Sequence, residues 1–449
     1  MTVQLTAGGL AAAALCAAQV TGDAALTQAR GRALESISRL PGYTCTETIE
    51  RRFFVKRNLG PANQSCDQMI APVDGRIPYP KLLATDRIRL DAWILDGREI
   101  DIWPGGGRLD SQWARLVKGP VGVDSLTELL RSILRDPAIH LVTAGQVKEQ
   151  RTVFVKYTFQ VPVTSSRYYV DTAGDWRAVA YSGEIWIDAA TAEIRRLVVH
   201  AGVMPGDVNA CAATTTVNYS NSRIGAGDFL TPTSSTESLV TRNLTESEIR
   251  TTYSACRVPT EPLEAHSGMH PQPSGMAPAL SEFRRPIFVE FKLDQEIDTD
   301  TAAVGDLVSA TVTDSIEDPR THTVLIPSRA TVRGRIVRME HWLNSPRRFL
   351  IGIQLQTITI DGVDSPFRAT TLETLSGLNS RQWSGFSAVV DGESGASKAT
   401  PPLLPLRDPD TPVGMVTIVN GMDRRVLHKG WKSTWITVPN PPPADAADH

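Results

Sequence analysis

The densest set of groups able to hold a cation is acidic: Asp294, Glu296, Asp298, Asp300 and Asp306 crowd one short stretch. It lacks the DxDxDG spacing of a calcium loop, so it reads as the solvated end of a strand. His266 and His270 stand four apart, the interval at which two imidazoles on one helical face can share a metal. Prolines and glycines around them argue against a helix, and no carboxylate or third histidine joins them at a useful spacing. Gly105, Gly106 and Gly107 follow a strand, but neither GxxxxGK[ST] nor GxGxxG occurs there, so a flexible loop is expected rather than a phosphate cradle. There is no HExxH, GxSxG or kinase signature. The chemistry expected is therefore binding without catalysis, with no cofactor and no metal.

Apart from Cys16 in the N-terminal segment, four cysteines, Cys45, Cys66, Cys211 and Cys256, lie in the first 260 residues and none follows. Their spacing contains no CxxC knuckle for zinc, so two disulfides in an oxidising compartment are the better account. Three pairings are possible. The short loops favour Cys45 with Cys66 and Cys211 with Cys256.

Compartment is read from the start of the chain. Residues 1–22 have the apolar Ala/Leu core of a signal peptide, with cleavage placed after Ala18, although no Lys or Arg precedes that core. Leu15 stands where a lipobox would need a small residue before Cys16. The run is too short for a permanent spanning helix, so a periplasmic or otherwise exported protein is expected, with no transmembrane segment in the mature chain. A net charge of −3 with no dense Lys/Arg run gives no reason to expect nucleic acid.

At 449 residues, with 41% hydrophobic and 21% charged residues, the chain should form two globular domains plus tails. Residues 23–257 form the first and 287–438 the second, with a proline-rich linker at 258–286 and a frayed tail at 439–449. A helix is expected over 26–40, with Leu26, Leu34, Ile37 and Leu40 on one face. Another spans 124–136, capped by Asp124 or Ser125, with Leu126, Leu129, Leu130 and Ile133 on one face. The rest is strand-patterned. Asp96-Gly97 and Asp361-Gly362 mark two-residue hairpin turns. In 152–163, Val153, Val155, Tyr157, Phe159 and Val161 share one face, opposite Phe154, Lys156, Thr158 and Gln160. The Thr/Ser-rich segments up to Cys256 read as edge-like strands. In the second domain Val289, Phe291 and Leu293, then Val308, Ala310 and Val312, then Phe349, Ile351, Ile353 and Leu355 each mark a buried face.

The most distinctive stretch is the hairpin Tyr181 to Gly202, in which Trp186, Ile187, Asp188, Thr191 and Ile194 form a W-[IV]-D-x-x-T-x-x-[IP] run. With the helices and strands around it, about residues 26–256 resemble the outer-membrane lipoprotein carrier family, LolA, and its relative RseB. That resemblance implies a curved, incomplete β-barrel closed by helices over an apolar cavity for acyl chains. About 45 residues of the second domain, from AVGD to the strand after LIP, resemble the β-barrel domain of TrbI-type secretion components, which implies a small closed barrel or sandwich. The fold class expected is mainly β.

Tryptophans appear on both sides of some strands. Ile185 and Ile187 face away from Trp186, and Ile100 and Ile102 oppose Trp103. Something must cover such side chains, either the helices or a ligand. Trp93, Ile102, Trp103 and Trp186 are accordingly the residues expected to line an apolar or lipid-like ligand site, and the second domain is expected to dock envelope proteins. A structural or interaction protein with a filled core is the alternative.

Overall fold

The computed structural model describes residues 22–54, 81–107, 109, 116–119, 121–172, 175–202, 204–208, 210–241, 246–263, 286–344, 347–371, 386–387, 403–404, 413–419 and 425–438. Residues 1–21 of the expected signal segment, Cys66, the two histidines of the expected linker and residues 439–449 lie outside these residues. Helix α1 spans Gly22–Arg39 and α2 spans Leu126–Arg135. The first half of the chain supplies β1 (Tyr43–Phe54), β2 (Leu82–Leu95), β3 (Arg98–Ile102), β4 (Val121–Gly122), β5 (Val142–Glu149), β6 (Thr152–Val161) and β7 (Tyr169–Thr172). It continues with β8 (Asp175–Ala178), β9 (Tyr181–Asp188), β10 (Ile194–Ala201), β11 (Ala212–Ile224), β12 (Gly227–Val240) and β13 (Glu246–Arg257). The second half begins with β14 (Phe288–Leu293), β15 (Ile297–Asp298), β16 (Leu307–Val312), β17 (Ile316–Glu317), β18 (Val324–Ile326), β19 (Thr331–Trp342) and β20 (Arg348–Ile360). It ends with β21 (Val363–Pro366), β22 (Ala369–Thr371), β23 (Phe386–Ser387), β24 (Gly414–Val419), β25 (Val426–Leu427) and β26 (Lys432–Thr437).

The fold is mainly β, as the strand patterning predicts. The first half is one antiparallel sheet ordered β3-β2-β1-β13-β12-β11-β10-β9-β6-β5. Its ends, β3 and β5, do not pair, so the sheet is not closed into a barrel. A separate small sheet, β4-β7-β8, lies apart from it. In the second half the order is β22-β26-β14-β16-β19-β20-β24, with β21 beside the far end of β20. Among the described residues no ladder closes this ring either. Thr371 in β22 instead exchanges side-chain bonds with the backbone of Met415 in β24.

The Asp-Gly turns form as expected, with Asp96, Gly97, Asp361 and Gly362 all at positive φ. Ser125 caps α2 by accepting from the Glu128 N–H at 3.1 Å, and Leu126, Leu129, Leu130 and Ile133 are buried. In α1 the deepest row is Ala25, Ala29, Ala33 and Ile37, four apart, while Leu26 and Leu34 flank it. Small side chains let this helix lie close to its neighbours, which the leucine-based reading of the sequence missed. The hairpin behaves as its alternation requires: Ile185 and Ile187 are fully buried, and Asp188 Oδ1 accepts from Ala190 and Thr191 to fold the turn.

Two expectations are corrected. The strands β11, β12 and β13 are not edges. Each has neighbours on both sides, because β13 returns to pair with β1. That return also overturns the short-loop disulfides: Cys45 in β1 is bonded to Cys256 in β13, with Cα atoms 4.1 Å apart across 211 residues. Sheet order, and not loop length, brought these sulfurs together; Cys211 is likewise disulfide-bonded.

The two halves, moreover, are joined by backbone. Residues 84–86 of β2 pair with 340–342 of β19, so one sheet runs through both. Beyond that ladder the AVGD turn fills the β2 edge, where Arg89 N–H donates to Val304 and Val304 N–H to Arg87. Gly305 has to be glycine: its φ is +103° and a Cβ would lie 2.4 Å from the Arg89 carbonyl oxygen. Ile49, Ile88 and Leu90 accordingly pack in the same core as Val289, Phe291 and Ile351 of the second half.

Candidate functional site

Inward positions of β1 run Cys45, Glu47, Ile49, Arg51, and two of them are charged and buried. On β3 the same face carries Glu99 and Asp101, opposite Ile94 and Ala92 of β2. Lys118, on a single helical turn at 116–118, reaches into this group. Its Nζ donates to Glu99 and, at 2.9 Å, to Asp101, and it stands 3.3 Å from Glu47 Oε2. The Glu47 contact is one of charge, since that oxygen accepts no aligned hydrogen bond.

The cluster lies at one side of a cavity of about 230 Å³. The floor follows from sheet register. Glu47 pairs with Tyr253; Ile49 with Thr251 and then Ser235; Arg51 with Ile249, then Glu237 and Thr215. The Thr and Ser residues that resemble an edge in the sequence thus make a polar floor across three strands, β13, β12 and β11. The cover is apolar, with Val121 and Val123 beside β4, Leu126 at the start of α2, and Tyr168 and Trp176 around the β7-β8 hairpin. Trp176 is 42% exposed and rests on Gly122, where a Cβ would fall 2.8 Å from the indole. The Cys45–Cys256 bond ties β1 to β13 within three residues of Glu47 and Tyr253.

Burial dominates the titration of the site. It pushes the Glu47 carboxyl well above its usual range, with Lys118 opposing, and raises Glu99 in the same way. Burial also works against the Lys118 charge, yet Asp101, Glu47 and Glu99 together outweigh it and hold that ammonium well above its usual value. Glu237, with no cation beside it, is pushed up to about 8 by burial alone. Its Oε1 lies on the cavity wall with no hydrogen-bond partner among the described residues. Tyr168 and Tyr253 are raised too, chiefly by burial. At neutral pH the site therefore offers a hydrogen-bond-donating carboxylic acid at Glu237 and, across the cavity, an ammonium among carboxyl groups.

Glu47, Glu99 and Asp101 also satisfy the geometry of a three-carboxylate metal site. Lys118 already stands among them as a counter-ion, and a metal would have to displace it. The acidic stretch after β14 does not gather: Asp294 bonds Thr311, Glu296 meets His428, Asp298 folds its own turn and Asp306 caps Ala303.

None of the four side chains expected to line a ligand site borders this cavity. Trp93 and Ile102 are buried on the opposite face from Glu99 and Asp101, because β3 turns its acids inward and its isoleucines outward. Trp103 packs against the second-half core, with the Arg335 guanidinium 5.7 Å from its ring centre. Trp186 sits on the outer face of the hairpin. Arg196 stacks on it at 4.6 Å, Phe154 touches its edge, and its Nε1 donates to Glu184. A neighbouring cation covers this tryptophan on the outer face.

No protein-family model and no curated protein sequence matches the chain. Among solved structures, a LolA superfamily protein from Nitrosomonas europaea aligns with 54% of this chain and 97% of its own, at 8% identity and a TM-score of 0.24. The Mycobacterium tuberculosis lipoprotein LppX aligns with 54% of this chain and 99% of its own, at 11% identity and a TM-score of 0.19. At these values neither likeness bears on function.

Proposed function

We propose that this protein is a non-enzymatic binding protein of the cell envelope, and that its cavity takes the polar end of an apolar or lipid-like ligand. The observation that carries this reading is the pairing of an apolar cover, with a partly exposed indole at Trp176, and a buried polar floor where a Glu237 oxygen has no partner. Such a site binds by burying apolar area at roughly 25 cal/mol per Å² and orients its occupant with a few polar groups, which requires no catalytic side chain. At about 230 Å³ the space is smaller than the roughly 300–1,000 Å³ of a site enclosing a drug-sized molecule, so a head group fits and whole acyl chains do not. No described helix is long and apolar enough to cross a membrane. Docking of envelope proteins would fall to the second half of the chain.

The alternative, a structural or interaction protein without a ligand, is favoured by a different observation. The inner face of the hairpin is covered, with Leu130, Ile133, Tyr157 and Ile185 packed to near-zero exposure. Extraction of the protein purified from its own envelope, followed by native mass spectrometry, separates the two. A stoichiometric amphipathic adduct is expected. Bare protein, with no uptake of fluorescent fatty acids, would favour the ligand-free reading.

A further inference from the structure

Val117 and Lys118 are consecutive, yet they serve different interiors. Val117 is fully buried in the core that is otherwise built mainly from the second half of the chain, and Leu116 packs against that core as well. Lys118 enters the acid cavity of the first half. Two contacts fix the turn that carries them. The Arg51 guanidinium, paired with Asp86, also donates to the Leu116 carbonyl and, at 3.3 Å, to the carbonyl of Leu403 in the second half. Gly119, at positive φ, closes against Ile249, where a Cβ would lie 2.9 Å from the side chain. Ile249 in turn lines the cavity and touches the second-half core.

We propose that Arg51 and Val117 are positioning residues for Lys118, so that the ligand cavity is completed by the packing of residues 287–438 against β1 and β2. The inference rests on the ligand-binding reading for its purpose, but its geometry stands independently. The core on which Leu116 and Val117 rest is built mainly from the second half, with Ile49, Ile88 and Leu90 contributed by the first. A three-residue turn needs such an anchor to hold a partly buried ammonium against three carboxyl groups. Val117→Ala opens space beneath the turn, and Arg51→Met frees the Leu116 carbonyl, without either residue bordering the cavity.

The test uses the full chain and two readouts. Acetic anhydride labelling of Lys118, followed by peptide mass spectrometry and compared with the exposed Lys81, reports how firmly the ammonium is held. Titration with a fluorescent fatty acid reports the cavity. Val117→Ala and Arg51→Met should label at Lys118 about tenfold faster than the parent, the change expected for a lysine released by one pKa unit. Arg51→Lys should recover part of the protection. Val308→Ala, in the same core but remote from the turn in sequence, should lose comparable stability and label at the parental rate. Unchanged labelling in folded Val117→Ala overturns the proposal, and so does equal acceleration in Val308→Ala. If the parent takes up no probe, the ligand reading fails on its own, while the labelling pattern still decides whether the second half sets Lys118.

Discussion

Lys118 Nζ lies 3.3 Å from Glu47 Oε2, an oxygen of a residue only 1% exposed, and the same ammonium bonds Glu99 and Asp101. One cation therefore answers for three carboxyl groups drawn from two strands.

Lys118→Met should lower stability by about 2–4 kcal/mol at neutral pH, because removing one partner of a buried ion cluster leaves the others uncompensated. The loss should shrink at the lower pH, because burial raises the Glu47 and Glu99 carboxyls and lets them hold protons there. Urea denaturation of both proteins at pH 4.5 and 7.5 measures the difference.

Glu237 makes the opposite demand on pH. Its carboxyl is raised from an ordinary 4.5 to about 8 in the folded chain. The unfolded chain releases this proton first, so the stability it confers is complete below about pH 4.5 and is lost as pH rises through 8. Between those values Glu237→Gln should gain on the parent by up to about 1.4 kcal/mol per pH unit. Parallel stability profiles of the two proteins would show that Glu237 titrates normally.

Trp186→Ala separates the sequence-based reading of the hairpin from the structural one. The indole lies outside the core beneath Arg196, so its removal should cost about 1 kcal/mol in lost stacking and leave ligand-probe affinity unchanged. Calorimetry and probe titration on the same variant check both halves of the statement.

Cys45→Ala with Cys256→Ala should lower stability by about 2–5 kcal/mol through release of a long closed loop. Non-reducing peptide mapping of the parent should recover the two cysteines in one cross-linked pair. Recovery of Cys45 with Cys66 would contradict the β1-β13 ladder itself.

Much of the fold could be read from residue order. Period-two alternation correctly turned Ile185, Ile187, Val155 and Tyr157 inward, and the Asp-Gly turns and the Ser125 cap are local chemistry that neighbours cannot override. The site was less legible because it is non-local. Glu47, Glu99, Asp101, Lys118 and Glu237 have no common spacing; the first three meet through the β1-β2-β3 ladders, and Glu237 reaches their cavity because β13 folds back onto β1. A signal was nonetheless present. In Cys45-x-Glu47-x-Ile49-x-Arg51 two charges interrupt an otherwise buried row, and Glu99-x-Asp101 repeats this on β3. Charges within an inward row deserved more weight than tryptophans on either face. The junction between the halves was hidden for a similar reason: β2 looks like an ordinary strand, and nothing in Ala84-Thr85-Asp86 announces that β19 will pair with it.

The central claim, that the cavity above Thr215, Ser235 and Glu237 receives the polar end of a ligand, is tested most directly by filling it. Ser235→Phe places a ring in the space while leaving the acid cluster and its lysine untouched. Fluorescent fatty-acid titration of the full chain should give saturable one-to-one binding for the parent and at least about a tenfold weaker constant for Ser235→Phe, a loss of some 1.4 kcal/mol. Equal affinity in the two folded proteins, or no saturable binding in the parent, would contradict the account.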